Sequence, residues 1–209
     1  MNITLIGTGN MGAAFAKQLS AAGHRVRLTG RDLAKAQALA AQHANVEAYP
    51  AVQALGDNAV VILATGYADA VPALRGLGDL AGKVVIDISN PLTPDYMGLT
   101  LGHSTSAAEE IAKALPEAQV VKAFNTLFAQ VLADGPVFAD GQRASVFVAS
   151  DSERAKQTAI ALAQSLGYES VDAGGLVNAR YLEPLAGLNI YLGYGAGLGT
   201  AIAPTWIHK

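Results

Sequence analysis

The chain has 209 residues, with 14 Lys and Arg against 17 Asp and Glu; a net charge of -3 leaves no basic excess for a polyanion and argues against nucleic acid as a partner. A hydrophobic content of 51% can bury a core unaided and excludes disorder as the main state, while the absence of cysteine removes disulfides, thiolate metal sites and cysteine nucleophiles together. Only 15% of residues are charged, below the roughly 25% of an average soluble domain, so a ligand or a second subunit is expected to cover part of the surface.

Residues 1 and 2 lead directly into the apolar run 3–6 with no basic start and no cleavage site, so no secretory leader is expected and the cytoplasm is the expected location. Short β-rich runs predict strands over 2–6, 25–29, 59–64, 83–88, 119–123 and 144–149, with a shorter one at 169–171. Ala-rich segments of helical period predict helices over 10–22, 33–43, 68–74, 107–115, 152–166 and 177–194. Asp32, Ser106 and Asp151 each precede one of these and are expected to cap it, Ser106 forming a capping box with Glu109. This alternation predicts an α/β, Rossmann-type doubly wound parallel sheet with a packed C-terminal α/β extension. No linker interrupts it, so 1–209 reads as a single domain, about 1–125 the dinucleotide-binding core and about 126–209 the extension.

Two stretches depart from the alternation. Residues 89–104 are irregular and rich in Pro, Gly, Thr and Ser, and they follow an interior strand, where open α/β sheets bind ligands. Residues 184–207 carry no charge, long enough for a membrane span, but five glycines and two prolines break the run. A buried or interface helix is expected there, with no membrane partner.

Gly7-Thr8-Gly9-Asn10-Met11-Gly12 follows the first strand and opens the first helix. In such a loop Gly7 permits the tight turn, Gly9 lets a pyrophosphate approach the backbone, and Gly12 lets helix and strand sit close. Helix amides left without intrahelical partners then face the phosphates. Nineteen positions past Gly12, where an acid would hold a free ribose, stand Thr29-Gly30-Arg31. A hydroxyl and a guanidinium suit a 2'-phosphate, and Lys35 adds a second positive charge, so NADP is the expected cofactor. Asp32 beside them is read as a helix cap.

With Ser89-Asn90-Pro91-Leu92, Ser104-Thr105-Ser106-Ala107-Ala108-Glu109, Val121-Lys122-Ala123-Phe124-Asn125-Thr126 and Asp172-Ala173-Gly174, these motifs resemble the small NADP-dependent oxidoreductases related to the coenzyme F420-dependent NADP reductases, over nearly the whole chain. They also resemble the cofactor domain of the STEAP metalloreductases. The resemblance implies a homodimer with NADP across the sheet edge and a second substrate in a cleft against the C-terminal part. It places Thr8, Gly9, Asn10 and Met11 under the pyrophosphate, Thr29, Gly30 and Arg31 at the adenosine phosphate, and Thr65 and Gly66, after Ala64, by the second ribose. Asn90, Pro91 and Leu92 would border the nicotinamide, with Ala123, Phe124 and Asn125 beneath or beside the ring. The archaeal deazaflavin reductases carry a histidine in the segment that aligns with 123–126; Phe124-Asn125 here departs from it, which bears on the deazaflavin and not on hydride transfer.

If the acceptor is itself a redox cofactor, orientation and exclusion of water carry most of the catalysis. A carbonyl or imine would need a proton donor, for which His103, Tyr67, Tyr96 and Tyr181 are the candidates, His103 reading more simply as a solvated loop residue. His24, His43, His103 and His208 are too widely spaced for a zinc site, so no metal is expected. The expected activity is NADP(H)-dependent hydride transfer between nicotinamide and a small redox cofactor of deazaflavin or flavin type, or another small acceptor. The alternative is a non-catalytic NADP(H)-sensing module. A larger β-hydroxyacid or pyrroline-carboxylate reductase type would need a longer helical second domain than 209 residues allow.

Overall fold

Six strands, β1 (Asn2–Ile6), β2 (Arg25–Thr29), β3 (Val46–Ala48), β4 (Val60–Leu63), β5 (Val84–Asp87) and β6 (Gln119–Lys122), pair in parallel in the order β3-β2-β1-β4-β5-β6. The computed structural model describes residues 1–139 and 141–206. Crossovers run through α1 (Asn10–Ala21) from β1 to β2, α2 (Leu33–Ala40) to β3, α3 (Ala51–Ala54) to β4, α4 (Tyr67–Arg75) to β5 and α5 (Ala107–Ala114) to β6. Because side chains alternate along a strand, Ile3, Leu5, Ile62 and Ile86 enter one core with Phe15 of α1, and Ile6, Val61, Leu63 and Val85 enter the other with Leu74 of α4. Both faces of the sheet are covered, which is why β4 reads as the unbroken apolar run VVIL.

The C-terminal part continues this body through α6 (Ala129–Asp134), β7 (Ser145–Val148), α7 (Glu153–Ser165) and β8 (Glu169–Asp172). A 3-10 turn (Leu176–Asn178) runs into α8 (Ala179–Ile190), which ends in one π-helical turn (Tyr191–Gly195). β7 and β8 form a parallel pair of their own. An antiparallel bridge between Lys122 and Ala149, with hydrogen bonds of 2.9 and 3.0 Å, joins the end of β7 to the end of β6. The doubly wound parallel sheet with a packed C-terminal α/β extension is therefore the observed architecture.

The differences from the expected elements are local. β3, α3 and α6 have three, four and six residues, too few to display a period. Asp32 caps α2 by accepting the Lys35 amide at 3.1 Å, and Ser106 caps α5 by accepting that of Glu109 at 3.2 Å. Asp151 does not cap α7: Ser152 does, accepting the Ala155 amide, while the Asp151 carboxylate accepts the Leu176 amide at 2.8 Å and anchors the turn before α8. Among the described residues no helix is long and apolar enough to cross a membrane. Ile207 and His208 lie outside the described residues.

Candidate functional site

The glycine loop is built as its spacing demands. Gly7 has φ +123°, and a Cβ there would stand 2.2 Å from the Ala64 carbonyl oxygen; one on Gly12 would stand 2.0 Å from that of Gly7. Both positions are closed to any side chain by fixed backbone. A Cβ on Gly9, by contrast, would meet nothing within 4 Å. The open space above Gly9 is where a ligand can come against the backbone. Gly9 is the N-cap of α1 and offers no side-chain cap, so the first-turn amides of Asn10 and Met11 have no acceptor within the helix.

A cleft of about 710 Å³ opens from this loop across the carboxyl ends of β1, β2 and β4. It brings together Gly7, Thr8, Gly9, Thr29, Gly30, Arg31, Lys35, Ala64, Thr65 and Gly66, with Asp32 and Asp69 also on its walls. Thr29 is 2% exposed, yet its hydroxyl has no hydrogen-bond partner among the described residues. A buried, unpaired hydroxyl facing a cleft marks a place for a polar ligand. Arg31 is exposed and its guanidinium lies 3.5 Å from Asp69, in the first turn of α4. That carboxylate was not singled out from sequence, because an acid in a first helical turn is explained by the helix dipole alone.

Asn90, Pro91 and Leu92 follow β5, and Ala123, Phe124 and Asn125 follow β6, outside the cleft that Arg31 lines. The two segments are joined side by side: Asn125 Nδ2 donates to Asn90 Oδ1 at 3.0 Å, and Asn90 Nδ2 donates to the Asn125 carbonyl at 2.9 Å. Asn125 Nδ2 also donates to the Leu182 carbonyl in α8 at 2.9 Å, tying the C-terminal extension to this edge. The Phe124 side chain belongs to the core at this edge. It is fully buried, packed edge-on against Phe15 at 5.2 Å and Tyr168 at 6.2 Å, so only its backbone can border a ligand. Its φ of 60° costs about 1–3 kcal/mol for a residue with a Cβ and is held by the burial of that ring.

Beneath these loops lies a cluster that sequence reasoning missed. Lys122 Nζ is 2.6 Å from Asp87 Oδ2 and 2.9 Å from Glu183 Oε1, and it donates to the Ser89 carbonyl at 2.7 Å. All three charged side chains are buried. Asp87 accepts the Ser89 amide, and Glu183 accepts the amides of Ala107 and Ala108 at the start of α5, so the excess negative charge is met by backbone donors. The signal was a charge ending each of two apolar strands, VVID and QVVK. The Ser89 hydroxyl, Asn125 Oδ1 and the Thr126 hydroxyl around this cluster are also buried without partners among the described residues, like Thr29 in the cleft.

The candidate proton donors are not gathered at the site. His103 is exposed, with φ 58°, in the loop before α5 and does not line the cleft; Tyr96 and Tyr181 are exposed as well. Tyr67 begins α4 beside Gly66, and its phenol is held above its ordinary value, first by burial and then by the charges of Glu110, Glu183 and Asp87. Among the aromatic residues, Phe128 packs edge-on against Tyr194, and Phe147 against Trp206.

Comparison with known proteins bears on this geometry. Residues 2–91 match the family described as NADP oxidoreductase, coenzyme F420-dependent. The F420-dependent NADP reductase of Methanothermobacter marburgensis is 31% identical over 92% of this chain and 92% of its own length. Rat metalloreductase STEAP3 is 31% identical over 88% of this chain, which spans only 36% of that protein. Among solved structures, a putative F420-dependent NADP reductase from Arthrobacter sp. FB24 superposes with a TM-score of 0.90 at 31% identity, covering all of both chains.

Proposed function

The chain belongs to the family of coenzyme F420-dependent NADP oxidoreductases, and from that premise we propose that it is an NADP(H)-dependent oxidoreductase whose acceptor is a small redox cofactor of deazaflavin or flavin type, or another small molecule. The observation that carries the reading is the cleft itself: backbone left open at Gly9, with a threonine and an arginine where an acid would select a free ribose. Gly7 to Gly12 would hold the pyrophosphate, Thr29, Gly30, Arg31 and Lys35 the adenosine phosphate, and Ala64, Thr65 and Gly66 the second ribose. Asn90 to Leu92 and the backbone of Ala123 to Asn125 would border the nicotinamide, where the unpaired Asn125 Oδ1 can accept a hydrogen bond.

Bound there, the dinucleotide supplies a hydride donor or acceptor. The chain's own contribution is positioning. The Asn90–Asn125 pair fixes the two loops against each other, Lys122 fixes the first of them through the Ser89 carbonyl, and α8 closes the edge through Leu182 and Glu183. No titratable side chain is needed when the acceptor is a redox ring, and His103 has no assigned role. In this reading about 1–125 hold the dinucleotide, and about 126–209 form the acceptor cleft and a homodimer interface in a cytoplasmic protein. Exposed Tyr181, Leu188, Tyr191, Tyr194 and Leu198 support the interface.

The same exposed residues favour one other reading, an NADP(H)-sensing module that changes its protein contacts on binding. Titration with NADPH and NADH, followed by nicotinamide absorbance as a deazaflavin, a flavin and a carbonyl panel are offered, separates the two. Oxidation by one acceptor supports the enzyme and names its class. Tight binding of NADPH with no oxidation by any of them supports the sensor.

A further inference from the structure

The cleft carries a second charged wall that neither the glycine loop nor the β2 end explains. Asp69 lies on α4, across the cleft from the loop that bears Arg31, and both residues line it. Their charged groups are 3.5 Å apart, with side chains 52% and 91% exposed. The cleft's other carboxylate, Asp32, is engaged as the cap of α2 through the Lys35 amide. Among the described residues the Asp69 carboxylate has no such backbone partner and pairs with Arg31 from the first turn of α4. A carboxylate within reach of Arg31 is within reach of whatever Arg31 binds.

Resting on the reading of the cleft as a dinucleotide site, we propose that Asp69 is a specificity-determining residue that sets how strongly the protein prefers a 2'-phosphate over a free ribose. For a 2'-phosphate, Arg31 must turn from Asp69 to the ligand, and the carboxylate is left facing like charge. For a free 2'-hydroxyl, Asp69 is an acceptor, supplied from α4 and not from the β2 end where such an acid usually stands. One residue thus weakens one cofactor and helps the other. Both groups are hydrated, so the effect is moderate and falls as salt screens it.

The test is calorimetric titration of NADPH and NADH into the wild-type protein and the Asp69→Asn and Asp69→Glu variants, each at low and high ionic strength. Asp69→Asn is expected to bind NADPH about two- to fivefold more tightly at low salt. NADH is expected to bind no better or more weakly, and the NADPH gain should shrink at high salt. Asp69→Glu, which keeps the charge, is expected to hold the wild-type preference. Parallel changes for both cofactors, or weaker NADPH binding in Asp69→Asn, would overturn the role of Asp69 while leaving the site intact. A wild-type protein that bound neither dinucleotide would overturn the reading of the cleft and this inference with it.

Discussion

Arg31 and Lys122 stand at the carboxyl ends of β2 and β6, on either side of the point between β1 and β4 where the strand order reverses, and each is paired with a carboxylate from another element. The Arg31 side chain is 91% exposed and 3.5 Å from Asp69; that of Lys122 is fully enclosed, 2.6 Å from Asp87 and 2.9 Å from Glu183. Water screens the first pair, which can be exchanged for a ligand phosphate at little cost. The second cannot be opened, because separating buried charges leaves each without a solvent. One end of the sheet edge is thus built to change partners and the other to hold loops still.

The largest effect should come from breaking the buried cluster. Lys122→Met leaves Asp87 and Glu183 enclosed without a cation and should cost about 3–5 kcal/mol of unfolding free energy in urea titration. Adding Asp87→Asn and Glu183→Gln removes the two stranded charges and keeps an acceptor for the Ser89 amide and for one of the amides of Ala107 and Ala108, the glutamine nitrogen meeting the other, so it should recover part of that loss. A loss under about 1 kcal/mol for Lys122→Met would place the cluster with surface ion pairs.

Arg31→Glu tests the opposite end. It should leave the urea midpoint nearly unchanged, since the pair it breaks is exposed. NADPH binding should weaken by about 1.5–3 kcal/mol, the worth of a hydrogen bond to a charged group, and NADH binding much less. Equal weakening of both cofactors would remove Arg31 from the adenosine phosphate. Together with Lys122→Met, this variant separates a charge held for a ligand from one held for the fold.

What could be read from the sequence divides along the same line. The glycine loop and the Arg31 end are local: Gly7, Gly9 and Gly12 carry their reason in their spacing, and Thr29-Gly30-Arg31 lies at a fixed distance along the chain. The far end is assembled from β5, β6, α5 and α8, so Asp87, Lys122 and Glu183 meet only once the sheet order and the docking of α8 are set. Two charges closing apolar strands hinted at a pair, but nothing near Glu183 in sequence pointed to it. Phe124 shows the same limit. Its place in a motif gave its position at the edge, whereas its left-handed backbone and its packing on Phe15 and Tyr168 decide that the ring belongs to the core.

Asn125 lies between the two regimes, buried but uncharged. Asn125→Ala removes the donations to Asn90 Oδ1 and to the Leu182 carbonyl and should cost about 1–2 kcal/mol of stability. If Asn125 Oδ1 also serves the nicotinamide end, nicotinamide dinucleotides should bind more weakly to the variant, while 2'-phospho-ADP-ribose, which lacks the nicotinamide, should bind as before. Unchanged binding of NADPH would leave Asn125 as a tie between α8 and the sheet only.

The smallest expected effect concerns an ion pair intermediate in exposure. Arg180 in α8 donates twice to Glu109 in α5, at 2.9 and 2.6 Å, and Glu109 also accepts the Ser106 hydroxyl. The Arg180 guanidinium first, and the Ser106 hydroxyl after it, hold the Glu109 carboxyl below its ordinary value of 4.5 against the opposing effect of burial. A carboxyl whose folded value is depressed stabilises the fold fully above its unfolded value, and that contribution is lost as pH falls from there through the folded value. Urea midpoints should therefore decline below about pH 4.5, and part of the decline should be absent in Arg180→Gln. The side chains are 32% and 22% exposed, so the part removed should be no more than about 1 kcal/mol. A larger share would mean that the contact between α5 and α8 depends on this pair as the sheet edge depends on Lys122, and the division between exchangeable and fixed charges would then extend to the helices.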